Sequence, residues 1–168
     1  MSLIKQNFHE DVETGINGQI NLELRSSYIY RSMSCYFNRD DVALPGFAKF
    51  FEKYSNDAKD RSEKLMSYMT YRGGKTLLDD VVKPGQEEWG NGIDALRTAL
   101  NLEKQMFTFL TNLHEIGFQK KDRHFTDFVE TEFLQEQVDN IKKLGLMVTK
   151  SMRAGPGLGE YLFDKELE

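Results

Sequence analysis

Cysteine is almost absent from the chain: Cys35 is the only one in 168 residues. A single thiol forms no intramolecular disulfide and rules out a cysteine-rich zinc site, and it reads as an inert buried thiol. Proline is nearly as scarce, with three residues at 45, 84 and 156, and each stands at the edge of a long stretch free of helix breakers. Of the three histidines, His9 and His124 fall at helix starts without a partner cluster. Positive charge is not in excess, since 22 Lys and Arg against 27 Asp and Glu leave a net charge of −5. No basic cluster overrides that balance, which argues against a nucleic-acid partner. There is no run of 18 uncharged apolar residues, so no membrane span is expected. The start "MSLIKQNFHEDVETG" lacks the apolar run and cleavage site of a secretory leader, which makes a reducing, cytoplasmic compartment the default expectation.

What is present is 12% aromatic and 29% charged residues, a balance that reads as one globular domain over 1–168. The breaker-free stretches predict helices at about 10–38, 46–72, 91–120 and 124–150, with a short fifth at 157–166. Pro45 suits the first turn of the second helix, and Gly73-Gly74 ends it. The first and third connections are short, so those helix pairs run antiparallel. Residues 74–91 form a longer link. Helix 46–72 is about 40 Å long at 1.5 Å per residue, and the extended link reaches on the order of 60 Å. Such a crossover makes helices two and three parallel. The expected fold class is therefore all-α: a four-helix bundle with one long crossover and a short fifth helix.

Read at alternating steps of three and four, each long helix yields an apolar stripe. Helix one gives Ile16, Ile20, Glu23, Ser27, Tyr30, Ser34 and Phe37; helix two gives Phe47, Phe51, Tyr54, Ala58, Arg61 and Leu65. Helix three gives Leu96, Leu100, Glu103, Phe107, Leu110 and His114. Helix four gives Asp127, Glu130, Leu134, Gln137, Ile141, Leu144 and Val148. One polar residue interrupts each stripe near its midpoint: Glu23, Arg61, Glu103 and Gln137. Midpoints coincide whichever way a helix runs, so these four are expected to meet in one layer. Buried charges must be paired or bind metal, and two carboxylates converging inside a bundle is the geometry of a di-metal site. Half-exposed mid-helix glutamates would produce the same pattern.

The blocks "QINLELRSSYIYRSM", "DDVALPGFAKFF", "EKLMSYMTYRGGK", "LNLEK", "ETEFLQEQV" and "GLGEYLFDK" resemble the ferritins, in order and over nearly the whole chain. The resemblance implies an iron-storage subunit that assembles with ferritin subunits into a hollow shell, of this chain alone or mixed. Iron would be the cargo, Fe(II) in transit and Fe(III) as mineral, with no organic cofactor. Active ferritin subunits carry a di-iron ferroxidase centre: a Glu on helix one, a Glu-x-x-His on helix two and a Glu on helix three, with a Gln and a Tyr nearby. Glu23, Tyr30, Glu103 and Gln137 match those positions; Ala58 and Arg61 stand where the Glu-x-x-His should be. Glu23 and Glu103 are then the only anionic metal candidates left. Arg61 has five donors, no acceptor and a permanent charge, so an internal salt bridge to Glu103, Glu23 or both is expected to replace the metals. This resembles the closed site of light-type subunits. The competing expectation is that Arg61 snorkels out of the bundle.

The same resemblance places Asp127 and Glu130 in acidic entry pores as metal-binding residues, with His114 at the pore mouth. Asp57, Asp60 and Glu63 match positions of mineral nucleation, diluted here by Lys53, Lys59 and Lys64. Leu158 and Leu162 would line a four-fold channel, with Glu166 where many animal chains have His. Met33, Met66, Met69, Met106 and Met147 read as packing, and Trp89 as an anchor for the crossover. Two other functions stay open: a ferroxidase with a rearranged site using Glu23, Glu103, Tyr30 and Glu136, and a structural or partner-binding cage without iron chemistry.

Overall fold

The computed structural model describes residues 1–168 and contains no strand. Its helices are α1 (Glu10–Phe37), α2 (Pro45–Tyr71), α3 (Gly92–Gln119), α4 (Arg123–Val129), α5 (Gln135–Ala154) and α6 (Leu158–Leu167). A π-helical turn, Glu130–Leu134, joins α4 to α5, so the two form one continuous fourth helix of the bundle. The bundle's helices start where local chemistry favours a start. His9 caps α1 by accepting the Asp11 N–H, Pro45 opens α2, and Asn91 with Asp94 forms a capping box on α3.

The crossover runs along α1. Asn17 bonds to Lys75 and Leu77, Asn21 bonds to the Asp80 carbonyl, and the Trp89 indole donates to Ser32 at 3.1 Å. Contacts thus advance along α1 from Asn17 to Ser32 as the crossover advances from Lys75 to Trp89. The chain returns to the end of the bundle where α2 began, which sets α3 parallel to α2 and antiparallel to α1. Trp89 is buried and anchors the crossover to its own subunit.

The closest pairings are α1 with α2 and α3 with α5, with α1 on α3 closing the third side; α2 and α5 stay farther apart. The apolar core is split into two lobes. One holds 18 buried residues around Phe37, Phe47 and Phe51, the other 13 around Ile16, Leu65 and Phe125. The polar layer falls between them.

Three details differ from the sequence expectation. The fourth helix runs on to Ala154 rather than stopping near 150. In its first half the core face is Phe125, Val129 and Phe133, while Asp127 and Glu130 are exposed and Leu134 is only partly buried. The π turn holds an extra residue, so the seam advances in steps of four up to Gln137 and a three-four reading slips off it. Cys35 is exposed on α1 rather than buried.

Candidate functional site

Glu23, Arg61, Glu103 and Gln137 are all buried, at 0%, 8%, 2% and 2% exposure, and they meet in one layer. The antiparallel α1–α2 pair sets Arg61 opposite Glu23, and the Arg61 Nε donates to Glu23 Oε2 at 3.0 Å. The guanidinium points into the bundle and does not snorkel out. Glu103 is held differently. Its Oε1 accepts from the Tyr30 hydroxyl at 2.6 Å and its Oε2 accepts from Gln137 Nε2, which also donates to the Glu103 carbonyl at 2.8 Å. The ion pair is with Glu23; none forms between Arg61 and Glu103. Ala58 is fully buried and brings no ligand atom.

Electrostatics follow from burial. Desolvation pushes the Glu23 carboxyl up to about 7, against the pull of Arg61, while Glu103 nearby adds to the rise. Burial pulls the Arg61 guanidinium down, but the Glu23 and Glu103 carboxylates outweigh it and leave Arg61 raised. Tyr30 is raised well above the usual phenol range by burial and by the Glu103 carboxylate it donates to. Glu23 Oε1 has no hydrogen-bond partner although it is buried. Nowhere in the chain do three or more His, Cys, Asp or Glu side chains group so that they could hold a metal ion. Glu136 is exposed and makes no hydrogen bond to the layer.

The outer candidates fall into three groups. His114 Nε2 lies 2.7 Å from Glu130 Oε1, which joins α3 to the π turn, and Asp127 is exposed one turn earlier. On α2, Asp57 is paired with Lys53 at 2.7 Å, while Asp60 and Glu63 are exposed. On α6, Leu158, Leu162 and Glu166 are exposed. That helix is fastened by two acids: Asp164 Oδ1 accepts from the Phe47 N–H at 2.9 Å, and Glu160 Oε2 from the Gly92 N–H at 3.0 Å.

Several polar contacts escaped the sequence reading. Asp122 forms a bidentate pair with Arg72 at 3.0 Å for each bond and caps α4 at the Phe125 N–H. Asp just before a helical stretch is a cap signal, though nothing local points to Arg72. His124 does have a partner, the Tyr68 hydroxyl at 2.9 Å from Nδ1. Serines 27 and 55 bond across α1 and α2.

The family profile described as Ferritin-like domain matches residues 13–154, which include every residue of the buried layer. The chain belongs to the ferritin family. It is 51% identical to the soma ferritin of Lymnaea stagnalis over 166 residues, 99% of this chain and 95% of that protein. Identity to a ferritin heavy chain of Echinococcus granulosus is 50% over 166 residues, 99% of this chain and 96% of the relative. A ferritin lower subunit of Aquarana catesbeiana is 48% identical over 167 residues, 98% of this chain and 96% of the relative. Ferritin relatives described as heavy and as lower subunits thus match about equally well, so overall identity does not sort this chain between them. The residues of the layer have to do that.

Proposed function

We propose that this chain is an iron-storage shell subunit that admits iron through acidic pores, keeps it as ferric mineral, and lacks a fast di-iron ferroxidase centre of its own. One observation carries the reading: the guanidinium of Arg61 sits 3.0 Å from the Glu23 carboxylate, inside the layer. Two iron ions need several oxygen and nitrogen ligands with positions open to oxygen. Here Ala58 supplies none, and Arg61 brings a permanent positive charge. In a desolvated layer, like charges a few ångströms apart repel strongly. Arg61 therefore supplies the counter-charge that Glu23 would otherwise take from metal, and Tyr30 with Gln137 holds Glu103.

Iron handling then falls to the surfaces. Asp127 and Glu130, with His114, form the acidic entry, since a carboxylate ring at a pore attracts hard cations. Asp60 and Glu63, with Asp57, offer carboxylates for mineral growth. The shell is of this chain alone or mixed with active subunits, in the cytoplasm. A rearranged ferroxidase using Glu23, Glu103 and Tyr30 has one observation in its favour, the unpartnered Glu23 Oε1.

Initial aerobic Fe(II) oxidation by the metal-free protein, at a few irons per subunit, tests the reading. The comparison is the Ala58→Glu/Arg61→His chain. The native chain is expected to run near the protein-free blank and the double variant at least tenfold faster. A native chain that is fast and saturates at a fixed iron ratio sinks the reading in favour of the rearranged site. Iron content after expression in iron-rich medium addresses the inert cage, which would carry none.

A further inference from the structure

Because α2 and α5 stay apart, a cleft of about 190 Å³ opens between them and reaches down to Arg61. Sites for organic ligands run roughly 300–1,000 Å³, so this one suits a small ion. Three of its lining residues, Arg61, Asn140 and Lys143, carry donors without a protein acceptor. Arg61 is 8% exposed and commits only Nε to Glu23; the N–H groups on Nη1 and Nη2 have no protein acceptor and are not sealed from solvent. Asn140 uses Oδ1 to accept from the Tyr54 hydroxyl, which leaves its Nδ2 free to donate. Lys143 Nζ stands 5.7 Å from the centre of the Phe50 ring and forms no ion pair.

Three acids, Asp57, Glu136 and Asp139, line the same cleft and balance its three cationic side chains in number, so the donor geometry rather than net charge would select a ligand. Asp57 is neutralised by Lys53 at 2.7 Å. Glu136 and Asp139 are exposed, as Lys143 is, so water and salt weaken all three, although Glu136 still acts on Arg61. These acids do not gather into a group able to hold a cation.

We propose that the cleft between α2 and α5 binds a small oxyanion of phosphate size, held by the two Nη groups of Arg61, with Asn140 Nδ2 and Lys143 Nζ as further donors. The planar guanidinium presents two parallel N–H groups, the geometry that grips a tetrahedral oxyanion in bidentate fashion. Arg61 then acts on both of its edges: Nε holds Glu23 inside the bundle, and the Nη edge faces the cleft. The site stands apart from the iron-storage reading, because it is assembled by donors and needs no iron.

The test is equilibrium dialysis of inorganic phosphate against the assembled, metal-free protein at constant ionic strength held with chloride. Saturable binding near one phosphate per chain is expected, displaced by sulfate. Arg61→Gln is expected to weaken it about tenfold or more, the scale of losing charge-assisted hydrogen bonds. Asn140→Asp keeps the Tyr54 bond and the Arg61–Glu23 pair, so it reports on the cleft even if Arg61→Gln folds poorly; it too should lose binding about tenfold. Glu136→Gln should strengthen binding several-fold. Absence of saturable binding in the native protein, or binding by the Arg61→Gln and Asn140→Asp shells as tight as that of the native protein, overturns the proposal. Neither result bears on the Fe(II) oxidation comparison, which can fail or succeed independently.

Discussion

Replacing Arg61 with alanine leaves the Glu23 carboxylate buried with no counter-charge. Removing one partner of a buried pair costs roughly 3–5 kcal/mol, whereas replacing both with apolar groups is often neutral. Arg61→Ala is therefore expected to lower the urea midpoint sharply at pH 8, and Glu23→Leu/Arg61→Met to restore most of it. Burial of Glu23, which Arg61 only partly offsets, also makes stability depend on pH. Burial raises Glu23 from 4.5 to about 7 in the folded chain, so between those values the native state keeps a proton that the unfolded state releases. The linked stability, roughly 3 kcal/mol, is present in full at low pH and is lost as pH rises through about 7. Urea unfolding of the metal-free protein between pH 5 and 8 should show that fall, and Glu23→Gln should flatten it. At this scale the sequence named the four residues of the layer through their interruption of apolar stripes. It left open whether Arg61 faced Glu23 or Glu103, because stripe spacing says nothing about how far a flexible side chain reaches.

At the scale of elements, α6 is a short helix that packs on α2 and α5. Asp164 fastens it by accepting the N–H of Phe47 at the start of α2, while Phe163 packs against Phe47 with ring centres 5.7 Å apart. Asp164→Ala removes a cap to α2, a loss of about 1 kcal/mol. Amide exchange in α6 and at Phe47 is expected to quicken while exchange in the middle of α1 and α3 is unchanged. The helix starts were legible because Pro45, Asn91 and the Gly73-Gly74 stop are local signals. The π turn at Glu130–Leu134 was not. Its extra residue has no compositional mark, and only the need to bring both Phe133 and Gln137 to the core reveals it.

The whole molecule carries apolar groups that a lone subunit leaves in water. Leu77 and Leu78 in the crossover are each 69% exposed, with Val82 at 62%. Contiguous exposed apolar groups of this kind mark contact surfaces, and closed symmetric oligomers are the usual way to cover them. Leu78→Glu is expected to shift the sedimentation profile from an assembled shell toward small species, with helix content by circular dichroism unchanged. An unaltered profile would remove the crossover from the assembly surface.

The π turn and the end of the fourth helix aside, the number and order of the helices, the crossover and the polar interruptions of the stripes at Glu23, Arg61, Glu103 and Gln137 were legible in the sequence. These depend on local signals and on residue spacing along the chain, which need no knowledge of contacts. Which carboxylate Arg61 pairs with, the exposure of Cys35 and the cleft between α2 and α5 came from the tertiary structure alone. Those facts depend on the distance between helices far apart in sequence, and that distance is set by the packing of the two core lobes on either side of the layer.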